Sequence, residues 1–304
     1  MGTDCHVVVV ADEPATADLL ELATERVELL EESWSRFRPT SELNRLNARA
    51  GSGPVAVSGD LLVLVDRMKQ AWALSAGLFD PTVLHSIQAL GYDADFATVV
   101  ARADVIDDVV FAAAPGMTGV SVDEIASTVS LPEGVGIDPG AIGKGLASDL
   151  VAAELYEAGA DGVLVNLGGD LAFIGTTADG SGWEIAVEDE RRSVDDPDRV
   201  LRSFDFPDGA TTAGVATSTT LKRRWAQGRR HHVIDPRTGS MSISDLVQVT
   251  VVADEAWQAE VMATTALLMT SDEALGWLRD RDITAILLTA DRAVVTTDEE
   301  DDHG

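Results

Sequence analysis

The sequence predicts a globular chain that mixes helices and strands within one fold. Its 304 residues are 45% apolar, ample for a sizeable core. Apolar residues recur at helical spacing in some stretches and in short β-branched runs in others. No internal repeat or low-complexity linker interrupts the chain, and its chemistry-bearing motifs run from Met1 to Thr264. A single domain is therefore expected over 1–297, followed by an acidic, disordered tail at 298–304.

The elements follow in order. His6 to Ala11 reads as a buried strand. Asp12 and Pro14 are start signals for a helix running to about Phe37, with Leu20, Ala23, Val27, Leu30 and Trp34 on one face. SRFRPTSELNRLN (Ser35 to Asn47) is a proline-broken turn and a short helix capped by Thr40 or Ser41. Ser58 caps a further helix whose stripe is Leu61, Val65, Met68 and Trp72, ending near Gly77. Val120 to Val122 and Thr128 to Leu131 form a hairpin. A helix carries Leu150, Val151 and Leu155 to Gly159, and Val163 to Leu167 is a strand ending in Gly168-Gly169-Asp170. Trp183 to Val187 alternates as a strand, and Glu188 to Val200 reads as a solvated loop. Val247 to Ala253 is a strand, Glu255 to Met269 a helix, and Ala285 to Leu288 with Ala293 to Thr296 a closing hairpin.

The formal charge is −30, from 52 acidic against 22 basic residues. Such a surface repels polyanions, which excludes nucleic acid and anionic membrane as partners. A phosphate ligand must be held locally by a cation. Cys5 is the sole cysteine, so internal disulfides and cysteine metal clusters are excluded. MGTDC is too short and polar for a secretion signal, and no apolar run approaches a membrane span. The expected location is cytoplasmic.

Four stretches carry candidate chemistry. IDPGAIGKGLASD (Ile137 to Asp149) sets a Gly/Ala turn before a helix, with Lys144, one of three lysines, in its first turn. Such a turn admits close backbone approach and points N–H groups at an anion. It matches neither GxxxxGK[ST] nor GxGxxG, and by itself equally suits a plain strand-to-helix connection. GLFDPTV (Gly77 to Val83) places Phe79 and Asp80 on a loop after a helix, where Asp-Pro forces extended geometry; an ordinary turn explains it as well. RRHHVIDPRTGS (Arg229 to Ser240) gathers His231, His232, Asp235, Arg237 and Thr238, a base with an orienting carboxylate or an inert surface pair. Glu260 and Thr264 lie one helical turn apart, oxygens facing one way, as magnesium would need and as an ordinary helix also allows. Phe37 sits where it could cover a ligand or simply pack.

Together these pieces resemble the ApbE family, the FAD:protein FMN transferases. Eight segments match in order: Met1-Gly2-Thr3, SRFRPTSELNRLN, GLFDPTV, IDPGAIGKGLASD, VNLGGD, ATS, HHVIDPRTG and AEVMATTA (Ala259 to Ala266). The resemblance implies an α+β fold with mixed, largely antiparallel sheets and packed helices, binding FAD with its pyrophosphate on Mg2+. Carried over by position, it implies Met1, Phe37, Leu78, Phe79, Asp80 and Lys144 at the flavin nucleotide. It places the metal on the Ala141 carbonyl, Glu260 and Thr264, and implies His232 as base with Asp235 orienting it. The implied reaction transfers FMN from FAD to a threonine or serine hydroxyl of an acceptor flavoprotein, releasing AMP. The alternatives are hydrolysis of FAD to FMN and AMP, or FAD binding without turnover. Two positions depart from the family: Glu260 replaces the usual aspartate and Thr219 the usual glycine. The longer arm displaces the carboxylate by about 1.5 Å, large against magnesium's octahedral geometry. Thr219 is expected to crowd the substrate side of its loop.

Overall fold

A computed structural model describes residues 3–102 and 109–298. Met1 and residues 299–304 of the expected tail lie outside them. Among the described residues five helices exceed eight residues: α1 (Glu13–Trp34), α2 (Gly59–Leu74), α3 (Gly143–Glu157), α4 (Ala256–Ala266) and α5 (Ser271–Arg279). The fold is α+β, and its strand pairings are antiparallel.

The chain forms two compact units, each assembled from separated segments. Among the described residues the first comprises 27–102, 109–143 and 222–243, and the second 3–26, 144–221 and 244–298.

The second unit is built on a seven-stranded sheet. Its strands, in spatial and chain order, are β1 (Cys5–Val10), β2 (Gly162–Leu167), β3 (Asp170–Gly175), β4 (Ala210–Thr219), β5 (Leu246–Ala253), β6 (Thr284–Thr289) and β7 (Val294–Thr296). Helix α4 packs on β4, β5 and β3. It is buried on nearly every face, from Ala256 and Trp257 through Glu260 to Ala266, so an acid in its middle is held in the core rather than on a wet side. A hairpin of Trp183–Glu188 with Val200–Phe206 completes the unit, its inward residues Trp183, Ile185 and Val187 alternating with exposed ones.

In the first unit, Ser41 rather than Thr40 caps the helix Glu42–Asn47, its Oγ accepting from Asn44 N at 3.1 Å. Ser58 caps α2 as expected, accepting from Leu61 N at 3.3 Å. The hairpin appears as Ser121–Asp123 with Thr128–Ser130, extended by Val55–Ala56. Asn47 binds both the N–H and the C=O of Ile137, at 2.9 and 3.0 Å, and the buried Arg36 and Asp138 pair at 3.2 Å. These contacts tie SRFRPTSELNRLN to the start of IDPGAIGKGLASD.

Several expectations are corrected. The α1 stripe runs through Leu19, Ala23, Leu30 and Trp34; Leu20 is 39% exposed, because the buried set starts one residue earlier. The helix also ends at Trp34, before Phe37. Among the described residues β1 is an edge strand paired with β2 alone, so it is not buried, and Val8 faces out. Glu188 to Val200 is not simply solvated: Asp189 is 4% exposed and clasped by Arg191 at 2.9 Å. In the acidic run, Asp298 pairs with Arg202 at 2.7 Å.

Candidate active site

In the second unit the opening of α3 engages two other elements through two i, i+4 pairs. Gly145 and Asp149 face the start of α4, while Lys144 and Ser148 face Asp170 at the start of β3. A Cβ on Gly145 would lie 2.5 Å from the Ala256 carbonyl oxygen and 2.8 Å from Trp257 Cα, so the two helices touch backbone to backbone. That closeness lets Gly145 N–H donate to Glu260 Oε2 at 2.8 Å. Asp149 accepts from Ala256 N and Trp257 N, at 2.8 and 2.9 Å, supplying a carboxylate to the N-terminus of α4. Gly214 on β4 supports the same point, since a Cβ there would meet Ala256 N at 2.2 Å.

Lys144 donates to Glu260 Oε1 at 2.7 Å and also to Asp170 Oδ2. Both carboxylates are 1% exposed. Burial pushes the Glu260 carboxyl up to about 7, with the Lys144 ammonium opposing and Asp170 reinforcing that rise. Burial alone would lower the Lys144 ammonium, but the two carboxylates outweigh it and hold it above its ordinary range. Thr264 lies one turn beyond Glu260 and bonds Ser218 of the ATS segment, Oγ1 to Oγ, at 2.7 Å.

The donors here fit a hard divalent cation, which takes oxygen ligands. Glu260 and Thr264 stand one turn apart on α4, a carboxylate and a hydroxyl. Asp170 Oδ1 is buried without a hydrogen-bond partner, and such an atom needs a compensating charge or donor. With both carboxylates ionised, Lys144, Asp170 and Glu260 carry one excess negative charge. No cluster of three His, Cys, Asp or Glu side chains occurs among the described residues, so an ion would need other oxygens to fill its shell. Thr219 turns back onto the sheet, its hydroxyl donating to Val247 O at 2.8 Å.

The first unit holds the remaining expected residues. Asp80 takes the extended backbone that Asp-Pro requires, and its Oδ1 accepts from Thr82 N and Oγ1 at 2.8 and 2.6 Å. Burial pushes its carboxyl up, against hydrogen bonds from Thr82 and Trp72. Gly77 and Gly116 both have positive φ beside the Trp72 indole, so the backbone conformation rather than lack of space favours glycine at these two turns. Phe79 is buried and Leu78 half-buried. Phe37 packs on Tyr92, ring centroids 5.5 Å apart, while the Arg36 guanidinium lies 4.1 Å from one ring and 4.4 Å from the other. Ala141 is half-buried in the turn that leads into α3.

His231 belongs to a two-residue strand and is buried; burial, then the Arg224 charge, pushes its imidazole down. His232 is half-buried. The Asp235 carboxylate accepts from Arg237, whose Nε and Nη2 donate at 2.9 and 2.8 Å, because the Pro-Arg turn folds the guanidinium back two residues. Asp170, Ser148 and Asp149 went unassigned in the sequence reading, although the i, i+4 spacing of Lys144/Ser148 and Gly145/Asp149 was visible there.

The profile of the ApbE family matches residues 1–287. The chain belongs to the ApbE family. A relative from Vibrio cholerae serotype O1 named FAD:protein FMN transferase is 29% identical over 300 residues, covering 95% of this chain and 85% of its own. One of the same name from Treponema pallidum is 28% identical over 296 residues, 92% and 80% of the two chains. Among solved structures, the flavin transferase ApbE of Vibrio cholerae aligns with a TM-score of 0.75 at 26% identity, covering 97% of this chain and 93% of that one. The ApbE protein of Thermotoga maritima aligns with a TM-score of 0.79 at 22% identity over 98% and 94%, and supports the fold.

Proposed function

We propose that this ApbE-family chain is an enzyme that moves FMN from FAD onto a hydroxyl of an acceptor flavoprotein. The observation that carries this reading is the convergence of Lys144, Asp170 and Glu260. Three family motifs, IDPGAIGKGLASD, VNLGGD and AEVMATTA, meet there in one buried, charged cluster.

Glu260 and Thr264, with the Ala141 main-chain oxygen that the family resemblance implies, would hold Mg2+. When bound, that ion would offset charge growing on the pyrophosphate of FAD. The family resemblance implies Lys144 near the nucleotide as well, with its ammonium shared there between Asp170 and Glu260. Asp80 and Leu78 contact the flavin nucleotide from a loop pinned by Thr82; Phe37, Phe79 and Met1 are assigned with them.

A threonine or serine hydroxyl of the acceptor attacks the FMN-side phosphorus of FAD. The new P–O bond forms as the bond to the AMP phosphate oxygen breaks, and the hydroxyl proton passes to His232. The products are an FMN phosphoester on the acceptor and AMP. No helix among the described residues is long and apolar enough to cross a membrane.

The test is to mix the chain with FAD, Mg2+ and a threonine-bearing acceptor peptide, then weigh the peptide and assay AMP. Peptide gaining the mass of FMN less water is the expected result. AMP with unlabelled peptide would replace transfer by hydrolysis, and bound flavin without AMP would replace both by simple binding.

A further inference from the structure

Asp170 is gripped from two sides by one helix. Its main-chain oxygen accepts from Ser148 Oγ at 2.9 Å, and its carboxylate Oδ2 accepts from Lys144, one turn earlier on α3. Pairing with β2 through Leu167 and with β4 through Ala216 fixes its backbone at the head of β3. Asp170 and Ser148 are both almost fully buried, so this anchor moves little. Glu260 sits across the same ammonium, its second oxygen held by Gly145 N–H. One cation is therefore shared between two buried carboxylates. With both ionised, whichever carboxylate neutralises it leaves the other with a net charge.

We propose that Asp170 is a positioning residue: it neutralises and anchors Lys144, so that Glu260 keeps a net negative charge with which to take a divalent cation. The proposal rests on the reading of Glu260 as a metal ligand. Asp170 is the better permanent partner because two strands and Ser148 fix its main chain, and Lys144 is the one hydrogen-bond partner its carboxylate has among the described residues, whereas Glu260 also accepts from Gly145 N–H. Without it, the ammonium belongs wholly to Glu260, and an incoming ion must compete with a charge already in place. The usual effect of removing a residue that supports a metal ligand is a loss of about 10–100-fold in affinity.

Binding of Mn2+, read from the electron paramagnetic resonance signal of the free ion, separates the cases in the full chain. D170N is expected to bind Mn2+ about tenfold or more weakly than the parent chain. Adding K144M to it removes one negative and one positive charge together, and should restore affinity to within about threefold of the parent. A residue that only supports the fold, or that ligates the ion directly, would not be rescued in this way. A double variant as weak as D170N, or a D170N variant with unchanged affinity, overturns the proposal. K144M alone, which keeps both carboxylates, should bind Mn2+ at least as tightly as the parent; weaker binding also overturns it, and this arm stands even if D170N does not fold. A parent chain that binds no Mn2+ removes Glu260 as a ligand and the proposal with it. Normal parent binding with an unaffected D170N removes the proposal alone.

Discussion

Gly145 donates its backbone N–H to Glu260 Oε2 at 2.8 Å, a bond that is open only because the helix carrying Gly145 has no side chain at that point. Gly145→Ala sets two effects against each other. Alanine favours a helix by about 1 kcal/mol. Its Cβ would fall 2.5 Å from a carbonyl oxygen of another helix, where backbone and not a flexible side chain must give way. Overpacking of this kind costs about 1–3 kcal/mol or more, so the variant should be less stable in urea unfolding. An equal or higher midpoint would show that the helices separate freely.

Asp149→Ala removes the acceptor for two amides at the head of α4. The loss should be about 1–2 kcal/mol by the same unfolding measurement, the upper range for a helix cap, because this carboxylate serves two donors. Asp149→Asn keeps one acceptor oxygen and should fall between the two.

Glu260→Asp shortens the arm by about 1.5 Å and leaves Gly145 N–H without its acceptor. The Mg2+ concentration for half-maximal FMN transfer should rise about tenfold or more. If it falls instead, the longer side chain is a handicap that the Gly145 bond does not correct.

His232→Ala should lower the rate of transfer about 10²- to 10⁴-fold while FAD binding is kept. Transfer at the parent rate would remove His232 as the base.

Burial and Arg224 lower the pKa of His231 from its ordinary 6.5. A base whose folded pKa is depressed stays neutral in the folded chain, while the unfolded chain binds the proton sooner. Its contribution to stability is therefore complete above pH 6.5 and lost as pH falls through the folded value. Unfolding free energy measured downward from neutral pH should decline in the parent chain and decline less steeply in His231→Gln. Parallel curves would mean that other groups carry the acid sensitivity.

Features set by neighbours along the chain were legible in the sequence. The Ser58 cap, the extended Asp80 and the Ser121–Asp123 hairpin each depend on a few adjacent residues. The helix Ser271–Arg279 was equally local, marked by the Thr270/Glu273 capping box, and was passed over. Val200–Phe206 and most of Ala210–Thr219 were not legible as strands, because their polar residues look like loop and only pairing with distant strands explains them. The same holds for the site. Glu260 and Thr264 could be put on one helix face from spacing, but nothing local says that Lys144 lies between Glu260 and Asp170.

The pairing of β1 with β2 also governs how this protein emerges from the ribosome. Cys5–Val10 is made well before the one strand it pairs with among the described residues, Gly162–Leu167, which follows more than 150 residues later. At synthesis rates of about 5–20 residues per second, that strand waits on the order of ten seconds or more before it can pair. Over that interval the valine-rich stretch has its N–H and C=O groups without their ladder partners, the condition in which a strand is most open to mispairing.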